Sequence, residues 1–328
     1  MKTFISIGEC MLELSAMQKD LWRMSVAGDT LNTAWYARAC LSNNWHVSFA
    51  TKIGNDGMSS KVIDFLNENN IGTDRIYHDS SRTIGLYAIH LNKGERNFTY
   101  WRENSAARLL ANDQKILKSM LKDSNLVHFS GITLAILPPE GREKLLQILG
   151  ELRKKGTIIS FDPNIRFKLW DSLDLAKYTI SKGACLSDII LPSFEEESKC
   201  FGDKNPIDTI NRYKELGLDV IVVKDAGSSI YGKDKFSQLT CVEIKKKQLV
   251  DSTGAGDSFN GVFLASYIAG FDLENSIKKA HNISSHVIEQ KGALVPIKEV
   301  KKIFKSNFYT YDFHHTFRHH QVISTLII

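Results

Sequence analysis

Short runs of β-branched and aromatic residues alternate along this chain with longer amphipathic stretches, and this alternation restricts the possible folds more than any other feature. Residues 3–8, 47–53, 126–131, 157–162, 188–191 and 220–224 read as strands, and residues 30–41, 59–69, 113–122, 139–154 and 207–215 read as helices between them. Parallel strands need a long crossover, which a helix supplies. A βαβα order therefore predicts an α/β protein with a mostly parallel sheet covered by helices on both faces. Gly156 and Gly217 stand where a helix must stop before the next strand. Two stretches break the rhythm. Residues 9–26 and 83–103 are strand-like and polar, with no long helix after them, and 84–91 with 96–102 form a hairpin pattern about Asn92-Lys93-Gly94-Glu95. Both stretches are expected to join one small sheet that serves as a lid over a ligand crevice.

Composition removes several function classes. The chain has 328 residues, 43% hydrophobic and 24% charged, which is ample material for a buried core. Against 42 basic residues stand 37 acidic ones, and the densest basic run, Lys245-Lys246-Lys247, has no interleaved aromatics, so no nucleic-acid partner is expected. No run of 18 apolar residues occurs, and Glu9 and Glu13 interrupt the apolar N-terminus, so neither a membrane span nor a signal peptide is expected. The 5 cysteines are odd in number, scattered and without a CxxC pair, the usage of a cytoplasmic enzyme with reduced thiols. Residues 1–305 read as the folded unit and 306–328 as a His-rich tail. The tail's His314-His315 and His319-His320 pairs have no carboxylate or Cys arranged to complete a metal site.

The strongest chemical signal is Asp251-Ser252-Thr253-Gly254-Ala255-Gly256-Asp257-Ser258-Phe259. Small residues crowd a turn, after which Phe259, Val262, Phe263, Ser266 and Tyr267 recur at helical spacing. A helix start presents free backbone N–H groups and the positive end of the helix dipole, which suits phosphate oxygens. Asp257 in the first turn is placed to take a proton from an attacking hydroxyl. The alternative is a capped helix in which Asp257 only complements the dipole. A second turn, Ala27-Gly28-Asp29-Thr30-Leu31-Asn32-Thr33-Ala34, leads into an amphipathic helix. Asp29 and Asn32 there offer the acceptors and donors that sugar hydroxyls need, or Asp29 is simply a helix cap. Residues 227–234 nearly spell a phosphate-binding GxxxxGK[ST] loop, but Asp234 ends it and strand-like sequence surrounds it, so a hairpin is expected.

Together, the 28–34 and 251–259 segments resemble the two signatures of ribokinase-like (phosphofructokinase B type) sugar kinases, and the resemblance spans about residues 3–300. Ile7-Gly8-Glu9-Cys10-Met11-Leu12-Glu13-Leu14, Phe98-Thr99-Tyr100-Trp101-Arg102, Ser130-Gly131-Ile132 and Asp162-Pro163-Asn164-Ile165-Arg166 resemble the branch acting on 2-keto-3-deoxygluconate. The resemblance implies a three-layer α/β/α sandwich with a β lid, ATP along the carboxyl edge of the sheet, and the sugar acid under the lid. It implies Asp257 as the base and Gly254, Ala255 and Gly256 as the anion hole. Asn164, Lys224, Ala226, Gly227 and Ser228 would line the nucleotide, and Asn282 would lie near adenine. Gly28, Asp29, Asn32, Tyr87, Tyr100, Arg102 and Arg166 would contact substrate. Glu196 would serve magnesium, and a potassium ion near the 251–256 loop enters by analogy alone. An arginine pair suits a substrate carboxylate, because guanidinium matches it bidentately. The implied reaction phosphorylates the C6 hydroxyl of 2-keto-3-deoxygluconate to give 2-keto-3-deoxy-6-phosphogluconate and ADP, in a homo-oligomer paired through lid edges. A neutral-sugar kinase of the fructokinase or ribokinase type, and a catalytically silent sugar-acid sensor, stay open as alternatives. Two departures stand out: Ala27-Gly28 replaces paired glycines, and Ser193 opens the segment where an Asn-x-x-Glu pattern is usual.

Overall fold

The alternation in the sequence becomes one large sheet with helices on both sides. The computed structural model describes residues 1–306 except 19–20, 93–94 and 245–246. The N-terminal part runs β1 (Lys2–Ile7), β2 (Met11–Gln18), β3 (Leu21–Ala27), α1 (Asp29–Cys40), β4 (Trp45–Gly54), α2 (Gly57–Glu68), β5 (Ile76–Asp79), β6 (Gly85–Asn92) and β7 (Glu95–Trp101). The middle follows with α3 (Gln114–Leu121), β8 (Leu126–Ser130), α4 (Gly131–Ile136), α5 (Pro139–Lys154), β9 (Ile158–Asp162), α6 (Leu173–Cys185), β10 (Ile189–Ile190), α7 (Phe194–Phe201) and α8 (Pro206–Glu215). The chain continues through β11 (Val220–Lys224), β12 (Ser229–Lys233), β13 (Thr240–Glu243), α9 (Ala255–Ile268), α10 (Leu273–Val287) and α11 (Ile297–Ser306). Of the expected tail, residues 307–328 lie outside the described residues, as do Lys245 and Lys246 of the basic run and Lys93 and Gly94 of the hairpin turn.

Local chemistry sets these boundaries. Asp56, Asp113, Ser172, Asn205 and Asp272 each accept backbone N–H bonds at the start of the helix they precede. Pro139 and Pro206 open α5 and α8, where a missing N–H costs nothing. Along the strands, successive residues serve opposite layers. Phe4, Leu126, Ile189 and Val220 pack with α1, α9 and α10, whereas Ile5, Val127, Ile190 and Ile221 pack with α3, α5, α6 and α8. This two-sided burial is why the strands read as continuous apolar runs.

The main sheet has nine strands in the order β13-β12-β11-β10-β9-β8-β1-β4-β5. It is parallel from β11 to β5, with β12 and β13 added antiparallel at one edge. β11 and β12 form the hairpin expected over 227–234. Asp234 there accepts the Phe236 and Ser237 amides at 2.9 and 2.7 Å and turns away from any phosphate role. The second sheet has the order β3-β2-β6-β7 and unites the two stretches that broke the sequence rhythm. Edge strands β5 and β13 and helices α4, α6, α7, α10 and α11 had no expectation in the sequence. The strands are only four residues each, and α7 is half charged with only Glu197 and Cys200 buried, so neither the strands nor α7 carries a long apolar period. From β1 the chain runs outward to β4 and β5, then returns to place β8 on the other side of β1. In such sheets the crevice at this reversal, outside the carboxyl ends of the strands, is where ligands bind.

Candidate active site

α9 begins in that crevice because the preceding turn is fixed at both ends. Asp251 accepts the Thr253 amide at 2.8 Å and the Gly292 amide at 2.9 Å, tying the turn to the loop after α10. Gly254 then adopts φ 75°, and a Cβ on it would lie 2.8 Å from the Cβ and carbonyl oxygen of Ala293. Only glycine satisfies both conditions. The first intrahelical bond runs from the Ser258 amide to the Gly254 carbonyl at 2.8 Å, so the Gly256 and Asp257 amides precede the helical ladder. Of the expected anion hole, Ala255 already donates its amide to the Ser252 carbonyl at 3.2 Å, which leaves the Gly256 and Asp257 amides outside the helical ladder.

Asp257 lies in the first turn of α9 and accepts Asn32 Nδ2 from α1 at 2.7 Å. Burial and the negative charge of Asp29 push its carboxyl up to about 7, against the Asn32 hydrogen bond. Gly28, not Asp29, is the N-cap of α1, and the Asn32 amide donates to its carbonyl at 2.7 Å. Asp29 instead accepts Asn164 Nδ2 at 2.9 Å, and burial raises its pKa. Asn164 holds φ 33°, a left-handed conformation that Asn tolerates better than most residues. Its own amide donates to Asp162 at 3.1 Å. Gly28, Asp29, Asn32, Asn164 and Asp257, read from three separate segments, therefore converge.

The lid carries the aromatic expectations. Tyr87 is buried and donates to Glu13 on β2, and its ring lies 5.6 Å from that of half-exposed Tyr100 across β6 and β7. Arg102 follows β7 and is buried against Glu9, which also accepts Ser105 Oγ at 2.5 Å. Burial raises the Glu9 pKa despite these partners. Arg102 Nε is buried with no hydrogen-bond partner among the described residues. Arg166 is half-exposed and donates to Glu196, whose other oxygen accepts the Ile165 amide at 2.8 Å. Burial works against the Arg166 charge, but Glu196, Asp257, Asp162 and Asp29 outweigh it and raise its pKa. Both arginines expected to meet a substrate carboxylate thus have internal carboxylate partners already.

The nucleotide expectations are more dispersed. Lys224 ends β11 within the crevice, 3.5 Å from Asp162. Ala226, Gly227 and Ser228 form the exposed turn after it, and Asn282 is exposed on α10. Ser193 begins α7 without a side-chain capping bond, leaving Glu196 as the acid of that segment that faces Arg166. Asp162, Glu9 and Glu13 join the site although no role was assigned to them. All three lie in motifs that are visible in the sequence, but their partners are 93 and 74 residues away for Glu9 and Glu13, beyond any local pattern.

No group of three or more His, Cys, Asp or Glu among the described residues is arranged to cage a metal. A magnesium ion held by one or two carboxylates, with water and substrate phosphates completing its shell, fits such a site.

Carboxyl strand ends at a strand-order reversal, a helix start with the Gly256 and Asp257 amides outside its ladder, an acid in its first turn and a second small sheet define a small-molecule phosphotransferase with the ribokinase-like fold. The description "pfkB family carbohydrate kinase" matches residues 1–299. The chain belongs to the pfkB family of carbohydrate kinases. It is 36% identical over 302 residues to the 2-dehydro-3-deoxygluconokinase of Haemophilus influenzae, covering 90% of this chain and 96% of that protein. The crystal structure of 2-dehydro-3-deoxygluconokinase from Thermotoga maritima superposes with a TM-score of 0.80 at 21% identity, covering 93% and 98% of the two chains. A putative ribokinase II from E. coli in complex with ATP and Mg2+ gives a TM-score of 0.78 at 23% identity, covering 93% and 99%.

Proposed function

We propose that this chain transfers the γ-phosphoryl group of ATP to the C6 hydroxyl of 2-keto-3-deoxygluconate, also called 2-dehydro-3-deoxygluconate. The observation that carries the reading is the half-buried Asp257 carboxyl in the first turn of α9, held by Asn32 and raised to about 7. The name borne by the Haemophilus relative supports the substrate. Asp257 takes the C6–OH proton as that oxygen bonds to the γ-phosphorus. The bond from phosphorus to the bridging oxygen breaks, and ADP leaves with its electrons. The 254–256 turn offers amides to the transferring group. Gly28, Asp29 and Asn32 orient the sugar, Tyr87 and Tyr100 line its lid side, and the free Nε of Arg102 and the exposed part of Arg166 receive its carboxylate. Asn164, Lys224, the 226–228 turn and Asn282 line the nucleotide, and Glu196 would hold magnesium. When bound, that ion neutralises the β- and γ-phosphate oxygens.

Further parts of the reading concern the whole protein. Residues 1–305 act as one kinase unit. Trp22, Phe98 and Trp101 are exposed on lid strands, which supports a homo-oligomer paired through the lid. No helix among the described residues is long and apolar enough to cross a membrane, and all five cysteines are free, which fits a cytoplasmic enzyme. A potassium ion near the 251–256 turn rests on family analogy, and replacing potassium by choline in the assay tests it. The decisive experiment measures ADP release with 2-keto-3-deoxygluconate, fructose and ribose. Turnover on the sugar acid alone, or well above the others, supports the reading. Equal or better turnover on a neutral sugar overturns the substrate, and ligand binding without ADP formation overturns catalysis.

A further inference from the structure

Asn260 sits three residues after Asp257 on α9, fully buried, and no motif in the sequence singled it out. Its Nδ2 donates to Asp162 Oδ2 at 2.6 Å, and its Oδ1 accepts Lys224 Nζ at 2.9 Å. A carboxylate only accepts and an ammonium only donates, so one planar amide with a donor on one arm and an acceptor on the other is the group that satisfies both. The spacing that results is informative. Lys224 Nζ stays 3.5 Å from Asp162 and lies 3.8 Å from the point where a Cβ on Gly256 would sit. The ammonium therefore lies against the turn that opens α9, close enough for its charge to be felt there.

Lys224 and Asp162 are already an ion pair at 3.5 Å, and the Asn260 amide, bonded to both, fixes that spacing. Without the amide this partly buried pair would tighten and draw the ammonium toward β9, away from the 254–256 turn. We propose that Asn260 is a positioning residue for phosphoryl transfer: it shares Asp162 with Lys224 while holding the ammonium under the 254–256 turn, where charge develops on the transferring group. The proposal rests on the phosphotransferase reading above and goes beyond it by giving a role to a side chain that does not face the crevice.

A double-mutant cycle tests it. Asn260→Leu keeps the branched heavy-atom shape, though not the volume, and removes both hydrogen-bonding arms, and Lys224→Met removes the ammonium. If Asn260 acts through Lys224, each single variant lowers kcat by ~10²-fold with the sugar KM nearly unchanged, and the double variant falls no further than the worse single one. A product of the two losses in the double variant overturns the proposal, because a merely structural asparagine would not couple to Lys224. Asn260→Asp serves as the second variant should the leucine form fail to fold. It keeps the size but places a carboxylate against Asp162, and it must show the same lack of additivity with Lys224→Met. Wild-type protein run alongside separates the two claims. If it releases no ADP with any of the sugars, the phosphotransferase reading fails. The cycle is then scored on affinity for ATP with magnesium by titration calorimetry, where coupled losses support the role of Asn260 and additive ones refute it.

Discussion

Gly131 offers the sharpest test of how the fold positions the site. It opens α4 directly after β8, and a Cβ built on it would lie 1.8 Å from the carbonyl oxygen of Pro163 and 2.9 Å from Ile180 Cδ1. The isoleucine methyl can swing aside, but a backbone carbonyl cannot. In Gly131→Ala the Pro163 carbonyl must retreat by more than ~1 Å before the contact becomes tolerable, which in a packed interior costs about 1–3 kcal/mol. For a chain of this length that lowers Tm by roughly 1–2 °C per kcal/mol. The consequence for activity is larger, since Pro163 leads straight into Asn164, Ile165 and Arg166. Those residues bond Asp29 and Glu196, and misplacing such groups by ~1 Å costs about 10²-fold in kcat. Differential scanning of the variant, together with kcat on 2-keto-3-deoxygluconate measured well below Tm, gives both numbers. Native Tm with native kcat would refute the reasoning, because the close approach of β8 to the 162–166 segment would then carry no constraint.

Asp257 must be ionised to accept a proton, and its carboxyl is raised to about 7, so kcat/KM should climb with pH up to near 7 and level off above it. Asn32→Ala removes a hydrogen bond to the charged form and should move that acid limb to higher pH, whereas Asp29→Asn removes a repelling charge and should move it lower; a pH profile indifferent to both changes contradicts the assignment. Arg102→Ala and Arg166→Ala should each raise KM for the sugar acid by about 10-fold or more and leave a neutral analogue little changed, since the lost contact is a charged one. Equal effects on acid and neutral sugars in steady-state assays would remove both arginines from carboxylate recognition.

The sequence was most legible where chemistry is local. The 251–259 turn, the 28–34 turn and the apolar strands each announce themselves within ten residues, and all three occupy the places their patterns imply. The lid was legible as a break in rhythm, although the parallel pairing of β2 with β6 joins residues far apart in sequence. What escaped is what depends on distant partners. Arg102 looked free for a ligand because Glu9, its partner, lies 93 residues earlier. Asn260 passed unnoticed because its importance comes from Asp162, 98 residues away, and Lys224, 36 residues away. α6 was hidden for another reason: Thr179, Gly183 and Ala184 form much of its buried face, so its period is carried by small residues that hydrophobicity barely registers.

The central claim is that the start of α9 grips the transferring phosphoryl group while Asp257 takes the proton of the acceptor alcohol. Its most direct test is kcat of Asp257→Asn with 2-keto-3-deoxygluconate and ATP, with nucleotide binding measured on the same preparation. The account predicts a fall of ~10²–10⁴-fold with ATP still bound. Activity within threefold of wild type would contradict it.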